Sequence, residues 1–386
     1  MTVAAATAMP GVTPAATTVA GRDAGLDALR GTATLLVLFH HAALTYGATG
    51  GWYYREVPSD GRLDTKILML FCTVNQAWFM GLFFLLAGYF TPGPFQRKGG
   101  WMYARGRLLR LGLPLLVYML AISPLTIALA QTAKGRPFLG TFEWLWVHGR
   151  FESGPLWFAQ ALLIFCGAFL VWRAIASRFP EARPFPSNAV LLLAALLTGA
   201  GAFASRLFWP VGTQVWGLQL GYFSGYVVLF AAGCAAAPGH WLSAVPDHQR
   251  RLWLTIAWIA LPVLPAVELL APAIPALRGD SGGGWNIQAV VYAFWEPFVA
   301  WGFILGLVRA FQHNVRTSGP LWTALSRRAY AIYIIHPPVL VAVALAWRDV
   351  SAPHLVKFAV SGSVTCLLCF WIAGALSRAR PIARVI

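Results

Sequence analysis

The chain is 386 residues long, and 58% of them are hydrophobic while only 11% are charged. Soluble domains carry about 25% charged residues, so the composition excludes a water-soluble globule and predicts an all-α, polytopic membrane bundle. The net charge of +16 raises nucleic acid as a partner. However, no basic arm or aromatic-basic repeat stands outside the apolar stretches, so the lysines and arginines are read as topology signals and the lipid bilayer as the partner.

Residues 1–21 are rich in Ala, Thr, Pro and Gly, with no cation before Arg22. A secretory leader needs a positive start before its apolar run, so a disordered cytoplasmic tail is expected, followed by one membrane domain over 22–386. Ten apolar stretches then follow: 27–48, 67–90, 108–130, 156–173, 189–208, 217–237, 252–271, 286–308, 329–347 and 355–376. With the N-terminus inside, 19 of the 29 Lys and Arg fall on the inner side and 10 outside. The positive-inside bias therefore predicts both termini inside and an even number of helices.

The first stretch opens Leu26-Asp27-Ala28-Leu29-Arg30 and holds His40 and His41. From Arg30 to His41 is eleven steps of about 100°, roughly three turns, so both side chains share one face about 16 Å apart along the axis. With Arg30 at a membrane surface, His41 lies near the middle of the hydrocarbon layer. An ionisable group held at that depth is a functional-site candidate. His40 points about 100° away from it.

The second stretch ends Phe83-Phe84-Leu85-Leu86-Ala87-Gly88-Tyr89-Phe90-Thr91-Pro92. Gly88 allows close helix approach, and Pro92 ends the span. A basic loop is expected next, with Arg97, Lys98, Arg105, Arg107 and Arg110 ahead of Pro114. Arg107 and Arg110, three apart, are expected to face the same way. Paired guanidiniums at a membrane surface grip phosphate bidentately; a positive-inside stop that touches lipid headgroups is the other reading.

Glu152 precedes Gly154-Pro155-Leu156-Trp157-Phe158 at the head of the fourth stretch. Glu296, about ten residues into the eighth, must pair with a cation, meet a polar substrate or stay protonated. In the ninth stretch, Tyr330-Ala331-Ile332-Tyr333-Ile334-Ile335-His336-Pro337-Pro338 puts His336 about 13 Å inside the edge marked by Arg327 and Arg328. Pro337 and Pro338 free carbonyls one turn earlier. A structural histidine bonding such a carbonyl and a catalytic histidine are both readings of His336. Cys72, Cys166, Cys234, Cys366 and Cys369 all fall in apolar stretches and read as small hydrophobes, with no metal site expected.

These motifs, spread in order over residues 22 to 340, resemble the acyltransferase-3 family of multi-pass membrane O-acyltransferases, and most the glucan biosynthesis protein C branch. The resemblance implies that His41 is the essential histidine and Arg30 its partner in the family's Arg-ten-His motif, and that Arg107 and Arg110 serve the acyl-CoA donor. One departure is Ala87, where the family usually has Ser. No appended hydrolase-like domain is read, so acceptor recognition is expected within the membrane.

The expected mechanism follows. His41, Arg30, Glu296 and His336 are the catalytic candidates, and Arg30, Lys98, Arg105, Arg107 and Arg110 the donor-binding ones. Trp157, Tyr330 and Glu152 are candidates for acceptor binding. Acetyl-CoA or succinyl-CoA is expected as a cytoplasmic donor substrate, with no permanently bound cofactor, and neutral His41 takes the proton from an acceptor hydroxyl. The acceptor is expected to be a carbohydrate, the location a bacterial inner membrane, and a homo-oligomer is compatible with the sequence. A proton-coupled transporter or flippase would use the same intramembrane polar groups, but the two halves lack an inverted repeat. A membrane scaffold would not require His41, His336 and Glu296 in its spans.

Overall fold

The computed structural model describes residues 23–176, 181–317 and 319–379. The N-terminal tail 1–21 and four of the counted cations, Arg22, Arg178, Arg380 and Arg384, lie outside the described residues. Among those described, the fold is all-helical and forms no strand. In chain order the main helices are α1 (Ala24–Thr45), α2 (Leu63–Tyr89), α3 (Pro92–Thr132), α4 (Phe138–Val147), α5 (Gly154–Ile175) and α6 (Asn188–Phe208). They continue as α7 (Phe223–Ala236), α8 (Asp247–Leu270), α9 (Ile287–Asn314), α10 (Pro320–Ala346) and α11 (His354–Leu376).

Each of the ten apolar stretches lies on one of these helices, and among the described residues eight helices are long and apolar enough to cross a membrane. The two that fall short are α1, whose apolar run is interrupted by Asp27, Arg30, His40 and His41, and α7, which is only 14 residues long. Leu192, Leu193, Leu197, Leu367 and Trp371 stand exposed on α6 and α11. Apolar residues in such numbers on outward faces suit contact with lipid rather than water. The protein is a multi-pass integral membrane protein.

Local sequence explains several of the contacts. Asp23 caps α1 by accepting from the Leu26 amide at 3.0 Å, and its other oxygen accepts from Gln312 of α9 at 2.7 Å. The close approach expected of Gly88 is made to α7: a Cβ there would lie 2.1 Å from the Phe230 carbonyl oxygen. Gly233 faces back in the same way, 2.2 Å from the Leu85 oxygen, so the two backbones touch where neither helix carries a side chain.

The segment after α2 departs from expectation. The basic loop is helical from Pro92 to Arg107, bent at Gly99, whose φ is 75°. It then continues through two π-turns, Leu108–Gly112 and Tyr118–Ile122, within α3. Such bulges are frequent at functional sites. The two arginines expected to point together differ in burial: Arg107 is half-buried, while Arg110 stands exposed.

Candidate active site

Helices α1 and α10 run parallel, and the face shared by Arg30 and His41 lies against α10. Arg30 donates to Ser326 Oγ at 3.1 Å and pairs with Asp27 at 3.0 Å. Three turns further on, His41 Nδ1 lies 3.0 Å from His336 Nε2. Eleven residues on one helix are matched by ten on the other, so the common face predicted for the pair is real. About 16 Å of helix separates the two side chains, and the group in hydrogen-bond contact with His41 is His336. His41 lies four residues before the end of α1, and the chain beyond it folds back across the site.

The His336 ring is oriented by its neighbour in sequence. Pro337 has no amide hydrogen, so the Tyr333 carbonyl lacks its normal i+4 donor, and His336 Nδ1 fills the vacancy at 2.7 Å. A carbonyl only accepts, so His336 Nδ1 carries the proton and Nε2 presents a lone pair. His41 Nδ1 must then donate to that lone pair, which leaves His41 Nε2 as the unprotonated nitrogen of the neutral ring. His336 is thus bonded to the freed carbonyl, as the structural reading expects, and the same ring also meets His41.

Trp52 covers this pair. Its ring stacks on His41 with centroids 4.2 Å apart and lies 6.0 Å from His336. Residues 46–62 bring it there, held by the Glu56 amide on the Thr45 carbonyl at 2.9 Å and by an ion pair between Glu56 and Lys357. Lys357 also donates to the Arg348 carbonyl at 3.0 Å. Sequence reasoning did not single out Trp52, because nothing in a loop sequence says which residue returns to the bundle.

One wall of the site is rich in hydroxyls. Tyr53 Oη lies 3.0 Å from Tyr118 Oη and 3.4 Å from Ser123 Oγ. Tyr333, stacked 5.9 Å from His336, donates to the Pro155 carbonyl. Gly154 has φ 45°, and a Cβ there would lie 2.0 Å from Tyr53 Oη, so only glycine fits this turn. Burial holds the Tyr53 phenol above its ordinary pKa, so it remains an O–H group at neutral pH. Tyr330, one of the expected site residues, keeps a buried hydroxyl with no partner among the described residues. Glu152 is exposed beside the turn, and Trp157 stacks 5.6 Å from Tyr226.

Glu296 is not brought to the histidines. It pairs with Arg206 of α6, which is fully buried, donates to the Gly221 carbonyl at 3.1 Å and lies 4.5 Å from the Tyr292 ring. A cavity of about 30 Å³ lies beside this pair, lined by Gln76, Tyr222, Tyr226 and Trp301. By position along the sequence Arg206 and Lys357 fall among the ten outer cations, yet both are buried in the bundle. An arginine at the end of an apolar stretch can turn inward when a carboxylate waits there, and charge counting along the sequence does not register that.

The expected donor residues divide in a similar way. Arg107 turns inward, 3.4 Å from Thr91 Oγ1 and 5.1 Å from the Tyr103 ring centre, while Lys98, Arg105 and Arg110 are exposed. No curated protein and no solved structure matches the chain. Residues 23–374, from the cap of α1 almost to the end of α11, match a family described as an acyltransferase domain, and the chain belongs to this acyltransferase-3 family.

Proposed function

We propose that the protein is an O-acyltransferase that moves an acetyl or succinyl group from acyl-CoA to a hydroxyl of a carbohydrate acceptor, with His41 as general base. The observation that carries this reading is the hydrogen-bonded pair His41–His336, ordered by the Tyr333 carbonyl so that His41 Nε2 holds the free lone pair. A nucleophilic Ser or Cys is not needed when donor and acceptor meet directly.

The donor route follows α3. Arg107 and Arg110 precede Tyr118 by 11 and 8 residues, roughly 12–16 Å of helix, a distance comparable to the pantetheine arm of coenzyme A. Phosphates held by the exposed Arg105, Arg110 and Lys98 would let the thioester reach the histidines past Tyr330. By the charge asymmetry of the sequence this end faces the cytoplasm of an inner-membrane protein, where acyl-CoA is made. Arg30, engaged by Asp27 and Ser326 at the same end of α1, keeps that helix in register with α10 rather than touching the reacting atoms.

The acceptor approaches from the other end, beside Glu152 and Trp157. Its hydroxyl gives a proton to His41 Nε2 as its oxygen attacks the thioester carbonyl; the thiolate then leaves and takes that proton. The Tyr53–Tyr118 hydroxyl pair offers hydrogen bonds to the incoming sugar. The resemblance to the glucan biosynthesis branch makes a glucan the first acceptor to try.

Sealed proteoliposomes with the acyl-CoA end facing the lumen test this. Acetyl- or succinyl-CoA loaded inside should acylate a glucan supplied only outside and release free thiol inside. A requirement for both substrates on one face would remove the through-membrane route while leaving acyl transfer standing.

A further inference from the structure

Buried polar groups in folded proteins nearly always have a hydrogen-bond partner. Trp52 departs from this: its Nε1–H is buried with no partner among the described residues, on the ring that stacks 4.2 Å from His41. Phenylalanine would supply the same stacking without leaving a donor desolvated. The unmet N–H therefore has a use when something else enters. Of the substrate groups that meet beside His41 in the acyltransferase reading, the one that gains negative charge during acyl transfer is the thioester carbonyl oxygen. A donor in place before that charge develops is worth most when it does not have to move. Trp52 is so held, because its loop is pinned by Glu56 to the Thr45 carbonyl and to Lys357.

We propose that the Trp52 Nε1–H is a catalytic group that donates a hydrogen bond to the carbonyl oxygen of the transferring acyl group. The assignment rests on the acyltransferase reading. As the acceptor oxygen bonds to the carbonyl carbon, its proton passes to His41 Nε2 and the carbonyl π pair moves onto the oxygen facing Trp52. Collapse of that oxyanion re-forms the carbonyl and breaks the carbon–sulfur bond. The departing thiolate takes the proton from His41, so the enzyme ends as it began and no oxidant or reductant is required.

The test compares wild type with Trp52→Phe, which keeps a ring over His41 and removes the donor, in an assay of thiol release from acetyl-CoA with acceptor present. Loss of one oxyanion donor typically lowers kcat by about 100- to 1000-fold, and here the KM for acyl-CoA and the melting temperature should hardly change. A kcat within about threefold of wild type would overturn the assignment and leave the acyltransferase reading intact. A wild type that transfers nothing from acyl-CoA would overturn both. Should Trp52→Phe fold poorly, replacing the indole with its benzothiophene analogue, sulfur in place of N–H, preserves the shape. The same loss of kcat then supports the proposal, and full activity refutes it.

Discussion

His336 and Tyr333 are joined by a hydrogen bond that Pro337 makes available: the proline withholds the amide that the Tyr333 carbonyl would normally receive, and His336 Nδ1 takes its place at 2.7 Å. This bond sets which nitrogen of His336 faces His41, and through it which nitrogen of His41 is free. A prolyl residue one position beyond the histidine thus bears on the His41 tautomer without touching His41.

Pro337→Ala restores the amide and lets it compete with His336 for the Tyr333 carbonyl. With the orienting bond weakened, kcat should fall about 10- to 100-fold, in the range seen when a group that orients a catalytic histidine is lost. The KM for acyl-CoA should stay near its wild-type value. A kcat equal to wild type would show that the tautomer is set by something other than this carbonyl.

The pair Arg206–Glu296 is expected to matter for stability more than for chemistry. Glu296→Ala leaves a buried guanidinium without its counter-charge, which costs about 3–5 kcal/mol and lowers the melting temperature in detergent. Replacing both residues with apolar ones of similar volume should recover much of that loss. If Glu296→Ala instead melts like wild type and abolishes turnover, Glu296 belongs to the catalytic machinery after all.

If Arg105, Arg107 and Arg110 hold the donor as proposed, their variants should differ, because Arg107 is half-buried while Arg105 and Arg110 are exposed. Arg110→Ala should weaken acyl-CoA binding by calorimetry with little change in fold, and Lys should not fully replace it if the phosphate is held bidentately. Arg107→Ala should also lower stability, since its guanidinium bridges Thr91 and the Tyr103 ring. Unchanged CoA affinity in the Arg105/Arg110 double alanine variant would return these residues to a role in topology alone.

What the sequence made legible follows from how local each signal is. The common face of Arg30 and His41 is a property of one helix, so residue spacing shows it, and both side chains do reach α10. The Tyr333 carbonyl freed by Pro337 is equally local. The contact between His41 and His336 spans 295 positions, and spacing says nothing about it. Trp52 was hidden for a stronger reason, since its place over His41 depends on a loop held by Lys357 of the last helix. The π-turns at Leu108–Gly112 and Tyr118–Ile122 left no mark in the apolar pattern. Helix boundaries erred where polar ends continue helices beyond the apolar core, as at Pro92–Arg107 and at Gln312 to Asn314.

The most direct test of the account is turnover in His41→Ala beside His40→Ala, measured as thiol release from acyl-CoA in the presence of acceptor. His40 stacks on Phe79 of α2 with centroids 5.1 Å apart, whereas it is His41 that stacks on His336, so the loss of His40 should be the milder. His41→Ala should lose at least about 100-fold in kcat, the lower range for removal of a general base, while still binding CoA by calorimetry. Equal losses in the two variants, or a larger one at His40, would contradict the assignment of His41 as the base.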